Sequence, residues 1–318
     1  MAKKPKSAGS EKLLFNKLRQ FDEPGLFQDS YQTPDYIQAN LKDALRPYQH
    51  GALRYLHYTQ RRQEEALLHY RHLLFHMATG AGKTMVMSGT ILYLFKEYGY
   101  QNFIFFVHTD AIIQKTRENL LNPQSPKYLF SQELEIDGEK ITIAPVETFP
   151  AVPERNTIYL KLSTIHKMHD ELNSYRENSI TYEDLKEIPL VLLGDEAHHF
   201  NAGTKAKGKA KTSPENEEQT WERTIENVLA LRPDNRLFEF TATIDLANKD
   251  IGNKYRDRVV YQYDLKQFMS DGYSKKVMLL EANQNDGDKM LDAVLLSQYR
   301  KLVAADNGIT GFKPVILF

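Results

Sequence analysis

The chain has 318 residues, enough to bury one large or two ordinary hydrophobic cores. Its hydrophobic share of 41%, charged share of 26% and formal charge of −1 are ordinary for a globular protein, so any binding of nucleic acid has to come from a local surface. The sequence has no cysteine, which excludes disulfides, thiolate zinc sites and cysteine nucleophiles. No apolar run approaches the ~20 residues that cross a bilayer, and together these features favour a cytoplasmic protein without a membrane partner.

The first part of the chain predicts helices. A lysine-rich start is followed by a short helical pattern over residues 13–21, and turn residues come after it. Residues 45–70 then carry apolar side chains at helical spacing after Pro47, a residue that suits the first turn of a helix. We therefore expect an N-terminal helical extension over 1–44, an appendage to the core, and a helix over 45–70 that leads into the first strand.

From residue 73 onward, short apolar strands alternate with amphipathic helices. This alternation predicts an α/β fold in which a parallel sheet is covered by helices on both faces. Residues 122–152, with a hairpin signal at Asp137-Gly138, interrupt the alternation and predict a surface excursion. The strands are predicted at 73–77, 103–107, 158–162, 190–194 and 236–240, and the helices at 83–98, 110–121, 165–175 and 219–231.

The later segments predict a loop and a second run of elements. Residues 201–219 carry alternating lysines and then glutamates, which fits either a loop that touches nucleic-acid phosphates or a solvated loop with offsetting charges, the better interpretation. A strand over 277–280, a helix over 289–305 and a strand over 314–318 follow. The last residue falls inside this apolar strand, which predicts that the chain is a fragment of something longer.

The stretch from His76 to Thr84 has the pattern of a phosphate-binding loop. Its two glycines let backbone N–H groups converge on a polyphosphate, and the following helix directs its positive N-terminal end to the same point. Lys83 can reach the β- and γ-phosphates. The full consensus has glycine where this chain has Met77, so the loop alone also fits a turn that only joins a strand to a helix. The pattern predicts a bound polyphosphate with Mg²⁺, with Thr84 as the Mg²⁺ ligand. The predicted phosphate-binding residues are Thr79, Gly80, Ala81, Gly82, Lys83 and Thr84.

Two carboxylates follow the strand predicted at 190–194. Polar residues at the carboxyl ends of parallel strands face the ligand crevice, so Asp195 is expected to meet the Mg²⁺ held by Thr84. Glu196 is then placed to orient and deprotonate the water that attacks the γ-phosphate. Without a phosphate loop, the same two carboxylates would indicate a helix cap. The catalytic residues predicted here are Lys83, Asp195 and Glu196.

The strand predicted at 236–240 delivers Thr241 and Thr243 to the same edge of the sheet. Their hydroxyl groups could hydrogen-bond His198 and so connect the nucleotide site to another surface. From this element alone, a turn in which a threonine hydroxyl bonds nearby backbone is the better interpretation.

Taken together, the order of these elements resembles the first motor domain of superfamily 2 helicases and translocases, over about residues 45 to 318. The sequence Leu45-Arg46-Pro47-Tyr48-Gln49 resembles the adenine-reading motif of that superfamily, which assigns Gln49 to the adenine edge. Met77 to Thr84 resembles motif I, and Asp195-Glu196-Ala197-His198 is the DEAH form of motif II. Thr241-Ala242-Thr243 resembles motif III, which assigns coupling roles to His198, Thr241 and Thr243.

The same resemblance marks two threonines as contacts to nucleic acid. Thr109 lies where motif Ia belongs and Thr164 lies in the motif Ib region. Backbone N–H groups and hydroxyls at helix starts suit phosphate binding without base readout. The alternative, which the residues leave open, is that both threonines are ordinary helix N-caps.

Within that superfamily the chain resembles the restriction (Res) subunit of type III restriction enzymes. The residues that carry this resemblance include Asp195 to Ala202, Phe238 to Ile244, and Asp264-Leu265 followed by Asp271-Gly272-Tyr273. The resemblance implies an ATP-dependent helicase or translocase that acts on duplex DNA, with RNA left open, and a methyltransferase or specificity subunit as partner.

The resemblance also implies a domain organisation. A first RecA-like motor domain would span 45–272, and 273–318 would begin a second, truncated one. In this superfamily ATP binds between two such domains and the second contributes arginines, so the chain alone is expected to bind nucleotide but hydrolyse it poorly. Two other hypotheses remain: a truncated ATP-binding module that binds nucleic acid or a partner without efficient turnover, and an unrelated phosphate-loop kinase of a small molecule.

Overall fold

A computed structural model describes residues 13–23, 31–61, 70–174, 180–196, 214–274 and 285–316. It forms two compact units, Met1–Tyr273 and Ser274–Phe318. The helices are α1 (Leu14–Asp22), α2 (Asp35–Ala39), α3 (Pro47–Gln60), α4 (Lys83–Tyr98), α5 (Asp110–Leu120), α6 (Ile165–Asn173), α7 (Tyr182–Lys186), α8 (Pro214–Ala230), α9 (Lys249–Tyr255), α10 (Leu265–Ser270) and α11 (Asp286–Asp306). The strands are β1 (His72–Met77), β2 (Asn102–Val107), β3 (Leu134–Ile136), β4 (Glu139–Pro145), β5 (Thr157–Thr164), β6 (Leu190–Asp195), β7 (Arg236–Thr241) and β8 (Val259–Tyr263).

In the described residues, eight strands form one sheet in the order β3-β4-β5-β2-β6-β7-β1-β8. Every neighbouring pair is parallel except the antiparallel β3–β4 hairpin. All residues of β2, β5 and β7 are buried, as expected for strands of a parallel sheet with both faces covered. The predicted α/β fold class is therefore confirmed.

The strand order determines which residues meet at the carboxyl edge of the sheet. β7 lies between β6 and β1, so the end of β7 is flanked on one side by Asp195 and on the other by the turn that follows β1. In register, Asp195 pairs with Phe240 and His76 pairs with Thr241. Residues separated by more than 100 positions in sequence are thereby brought to one edge.

Several predicted elements differ from the structure in extent. The helix predicted over 45–70 is too long, because α3 ends at Gln60 and Arg61 has an extended backbone with φ −58° and ψ 136°. The loop predicted over 201–219 is wrong for residues 214–219, which belong to α8, while 201–213 lie outside the described residues.

The segment predicted as a surface excursion contributes to the sheet. Its hairpin prediction is confirmed, since Asp137 and Gly138 have φ of 54° and 78° between β3 and β4. However, β4 pairs in parallel with β5, so this part of the excursion extends the sheet by two strands. β8, at the opposite edge, was not predicted.

The N-terminal helix belongs to the core. Leu14, Phe15 and Leu18 of α1 are buried in the same hydrophobic cluster as the sheet. The backbone N–H of Leu14 also donates to the carbonyl oxygen of Arg256 at 2.9 Å. The expectation that the residues before 45 form an appendage is therefore wrong for this helix.

The second unit contains α11, which matches the helix predicted over 289–305. The strand predicted over 277–280 lies outside the described residues, and residues 314–316 have no strand geometry. Within the part of the chain that the structure describes, no helix is both long and apolar enough to cross a membrane.

Candidate nucleotide site

The turn after β1 has the backbone shape of a phosphate-binding loop. Gly80 and Gly82 have φ of 82° and 73°, a left-handed conformation that favours glycine. The N–H of Ala78 donates to the carbonyl of Tyr263 at 2.9 Å, and the N–H of Ala81 donates to that of Ala78 at 3.1 Å. These bonds fix the turn at the start of α4, where the first N–H groups of a helix have no partner within the helix.

The residues predicted to bind phosphate lie along this turn. Thr79 and Gly80 are exposed at its tip, while Ala81 and Lys83 are buried. Thr84, the predicted Mg²⁺ ligand, is half-buried in the first turn of α4. The N-terminal end of α4 therefore presents the positive end of its dipole beside the loop.

Gln49 holds the loop from the side. Its Nε2 donates to the carbonyl oxygen of Ala81 at 3.1 Å, and its Oε1 accepts from the N–H of Arg46 at 2.8 Å. The side chain packs so closely that a Cβ on Gly82 would lie 2.5 Å from Nε2. The structure thus places the predicted adenine-reading residue against the phosphate loop, a contact that sequence reasoning missed.

The lysine of the loop and the two carboxylates after β6 come together. Lys83 Nζ lies 3.3 Å from Glu196 Oε1, and the N–H of Glu196 donates to Asp195 Oδ1 at 2.9 Å. Glu196 has φ 53°, a left-handed conformation that costs a residue with a Cβ about 1–2 kcal/mol. Backbone strain of this kind clusters at functional sites, so it supports a functional role for Glu196.

The electrostatics of this group are unbalanced. Burial raises the pKa of Asp195 above its ordinary value, and the negative charge of Glu196 raises it further, while Lys83 lowers it. Two adjacent carboxylates therefore lie beside Lys83, and Lys115 is a further cation that acts on Asp195. A divalent cation would supply the missing positive charge, and a hydroxyl with a carboxylate is the oxygen donor set that Mg²⁺ prefers.

The turn after β7 joins the phosphate-loop strand. Thr241 Oγ1 donates to the carbonyl of Thr243 at 2.8 Å and accepts from the N–H of Thr243 at 3.2 Å. This is the local turn that the residues alone favoured. His76 Nε2 donates to the carbonyl of Ala242 at 3.2 Å, so a side chain of β1 holds this turn. His198, the predicted partner of both threonines, lies outside the described residues.

The two threonines predicted to contact nucleic acid both begin helices. Thr164 is buried at the N-terminus of α6, and its Oγ1 accepts from the N–H of Lys167 at 3.1 Å. Thr109 is exposed at the N-terminus of α5, and its side chain makes no capping bond among the described residues. Thr164 therefore has the geometry of an ordinary N-cap, while Thr109 is an exposed residue.

A buried ion pair ties β1 to β7 below the site. His72 Nε2 lies 2.5 Å from Glu239 Oε2, and the hydroxyl of Tyr255 donates to Glu239 Oε1 at 3.3 Å. Burial alone would raise the pKa of Glu239, but the charge and hydrogen bond of His72, together with the charge of Lys254 and the hydrogen bond from Tyr255, outweigh it and hold the pKa below its ordinary value. Sequence reasoning missed this pair, although a glutamate inside the apolar strand Phe238-Glu239-Phe240 signals a buried charge that needs a partner.

Comparison with known proteins identifies the family. A family model described as the Res subunit of type III restriction enzymes matches residues 42–246, well over half of the chain. The chain is also 35% identical over 341 residues to a Haemophilus influenzae protein named Probable type III restriction-modification enzyme HindVIP Res subunit. That alignment covers 99% of this chain and 65% of the relative, so the chain spans about two thirds of the length of this relative.

Solved structures give more distant likenesses. The UvsW helicase from bacteriophage T4 has a TM-score of 0.43 and 10% identity, over 80% of this chain and 78% of that one. The Sulfolobus solfataricus SWI2/SNF2 ATPase core, solved in complex with double-stranded DNA, has a TM-score of 0.40 and 13% identity, over 70% of this chain and 36% of that one. The family model carries the assignment: the chain belongs to the family of type III restriction enzyme Res subunits.

Proposed function

We propose that this chain is an ATP-dependent motor domain that binds Mg²⁺-ATP and couples its hydrolysis to movement on duplex DNA. The observation that carries the proposal is the meeting of Lys83 and Glu196 at 3.3 Å, directly beside Asp195 and the phosphate loop. A turn that only joined a strand to a helix would not require a lysine, two carboxylates and two left-handed glycines at one edge. The family membership supports the same activity.

The nucleotide phosphates are proposed to lie on the turn from Thr79 to Thr84. The N–H groups at the start of α4 would donate to them, and Lys83 would exchange its contact with Glu196 for phosphate oxygens. Gln49 would keep the turn in place and present its amide to the adenine edge. Lys83, which pairs with Glu196 in the structure, would thus stay paired with an anion throughout.

Mg²⁺ is proposed to be held by Thr84 and Asp195. When bound, it neutralises charge on the phosphates and on the leaving group. Asp195 has a raised pKa, so its ionised form is disfavoured in the folded chain until a cation compensates it. Thr84 and Asp195 thus fit the Mg²⁺ ion that would enter with the nucleotide.

Glu196 is proposed as the general base. Once Lys83 has turned to the phosphates, the Glu196 carboxylate can accept a proton from the attacking water. Its backbone is left-handed, and its carboxylate lies 3.3 Å from Lys83 Nζ at the end of β6. The proton would leave through Glu196, while Lys83 stabilises the negative charge that develops on the phosphate oxygens.

The same edge of the sheet offers a route from nucleotide to DNA. Thr241 and Thr243 lie between the two halves of the nucleotide site, and we propose that with His198 they transmit its state. Thr109 and Thr164, at the N-termini of α5 and α6, are proposed to contact DNA phosphates, Thr109 directly and Thr164 through the helix end that it caps.

The activity of the whole protein is a wider proposal. The chain spans 65% of the length of its relative, so a second RecA-like domain after residue 273 and a nuclease further along are proposed for the longer form. The first motor domain is proposed to span 45–272, with α1 packed into the same hydrophobic core. A methyltransferase or specificity subunit is the proposed partner, and the cytoplasm the proposed location.

The test is the ATPase rate with and without duplex DNA, measured side by side on this chain and on a form as long as the relative. We expect stimulation by DNA in the longer form and weak turnover in this chain. Glu196→Gln should abolish turnover in the longer form while nucleotide still binds, because the amide keeps the shape but cannot accept the proton. Undiminished turnover in that variant would remove Glu196 from its role, and stimulation by RNA alone would replace the DNA substrate.

One observation favours a second function for the chain by itself. Lys83 is already paired with Glu196, and this closed arrangement is compatible with a module that binds ATP and a partner without turnover. If ATP binds but neither form responds to DNA, that function replaces the motor.

A further inference from the structure

A cavity of about 590 Å³ lies next to the phosphate loop, and its lining shares His76 and the turn from Thr241 to Thr243 with the site described above. Its walls come from β1, the turn after β7, α9 and the start of α10, and they include Leu74, His76 and Ile251. The lining contains neither the phosphate loop from Thr79 to Thr84 nor the carboxylates after β6. A cavity of this size is in the range of ligand sites, about 300–1,000 Å³.

The floor of this cavity is apolar and its mouth is accessible. Leu74 and Ile251 are 1% and 8% exposed at its base, whereas Leu265 is 54% exposed at its edge. Ile244 adds a further aliphatic wall. An aliphatic stem that enters from solvent would therefore exchange contact with water for contact with hydrocarbon.

The charge of the lining is negative. Asp245 and Asp264 both line the cavity, and the described residues of its lining include no lysine or arginine. Burial lowers the pKa of His76, so this side chain is neutral near pH 7 and does not offset the two carboxylates. An occupant with an apolar stem and a positively charged end complements this combination.

Each carboxylate accepts hydrogen bonds from backbone N–H groups through one of its two oxygens. Asp245 Oδ1 accepts from the N–H groups of Ala247 and Asn248 at 3.1 and 3.3 Å, and Asp264 Oδ1 accepts from the N–H of Gln267 at 2.9 Å. The Oδ2 atoms take part in no hydrogen bond among the described residues. Two fixed acceptors at the mouth of one cavity suit a planar guanidinium, which has five N–H donors, better than an ammonium point charge.

We propose that this cavity binds the side chain of an arginine presented by another polypeptide, with the stem on Leu74 and Ile251 and the guanidinium on Asp245 and Asp264. The occupant would touch the turn after β7 and His76 of the phosphate-loop strand at the same time. This site goes beyond the proposed motor function and does not depend on it.

The test compares two peptides that differ only in charge. Acetyl-Ala-Arg-Ala-amide and the same peptide with citrulline, an uncharged isostere of arginine, are titrated against the full chain by ligand-observed NMR. We expect the arginine peptide to bind at least about tenfold more tightly, since hydrogen bonds to charged groups are the strong ones. Equal affinities, or no binding of either peptide at millimolar concentration, would overturn the proposal.

Variants locate the binding. Asp245→Asn combined with Asp264→Asn removes both charges but keeps the capping oxygens, because asparagine caps helices as well as aspartate does. In this double variant the affinities for the arginine and citrulline peptides should lie within about twofold of each other. The control is Asp250→Asn, which removes an exposed charge of α9 outside the lining and should leave the tenfold ratio unchanged. An unchanged ratio in the double variant contradicts the site. Tighter binding of free benzamidine than of the arginine peptide contradicts a polypeptide occupant.

Discussion

Replacing Gly82 by alanine tests the contact between the phosphate loop and Gln49. Gly82 has φ 73°, and its new Cβ would lie 2.5 Å from Gln49 Nε2. The left-handed backbone costs alanine about 1–2 kcal/mol. Gln49 is a flexible side chain and can move aside, but it then loses its bond to Ala81, which is worth about 1 kcal/mol. We therefore expect Gly82→Ala to lower the free energy of unfolding by about 2–3 kcal/mol.

The same helix supplies a matched control. Gly99, at the other end of α4, has φ 72°, and among the described residues no atom lies within 4 Å of the position that an alanine Cβ would take. Gly99→Ala therefore isolates the backbone cost of about 1–2 kcal/mol. Urea unfolding followed by far-UV circular dichroism compares the two variants. The excess cost of Gly82→Ala should vanish when Gln49→Ala is already present. Equal costs for the two glycines, or an excess that survives Gln49→Ala, would refute the packing of Gln49 on the loop.

Two further predictions concern buried charge. His72→Ala should lower the free energy of unfolding by about 3–5 kcal/mol, because Glu239 would stay buried after losing its closest cationic partner. The folded pKa of Glu239 lies below its ordinary 4.5, so the stabilisation from the pair is present above 4.5 and is lost as the pH falls through the folded pKa. The difference in free energy of unfolding between the variant and the unaltered chain, measured by urea unfolding, should therefore shrink in acid. A difference that does not change with pH contradicts the pair. The folded pKa of Asp195 is raised, so its ionised form lowers the stability of the fold above that pKa. Asp195→Asn should therefore raise the melting temperature at neutral pH, yet weaken Mg²⁺-dependent nucleotide binding. A lower melting temperature would contradict the burial of this charge.

Local sequence patterns were enough to predict most of the sheet. β1, β2, β6 and β7 are short apolar runs, and each was predicted to within one residue or so at either end. The turn at Asp137-Gly138 was predicted because residues of these types tolerate the left-handed backbone that the hairpin requires. In these segments the chemistry that decides the structure lies within a few neighbouring residues.

Prediction failed where a partner distant in sequence decided the outcome. α1 is short and amphipathic, which suggested an appendage, yet β8 and its neighbours cover its apolar face. β8 was not predicted, because its strand structure depends on pairing with β1, which is distant in sequence. Tertiary contacts override weak local signals of this kind.

At the candidate site, the sequence by itself determined which residue types are present: a glycine turn, Lys83, and two carboxylates after an apolar strand. Only the tertiary structure decided that β7 separates the two halves of the site, that Gln49 bonds to Ala81, and that His76 holds the turn at Ala242. Hydrogen bonds between segments 32 and 166 residues apart leave no periodic trace in the sequence, because they depend on strand order and register rather than on local backbone preference.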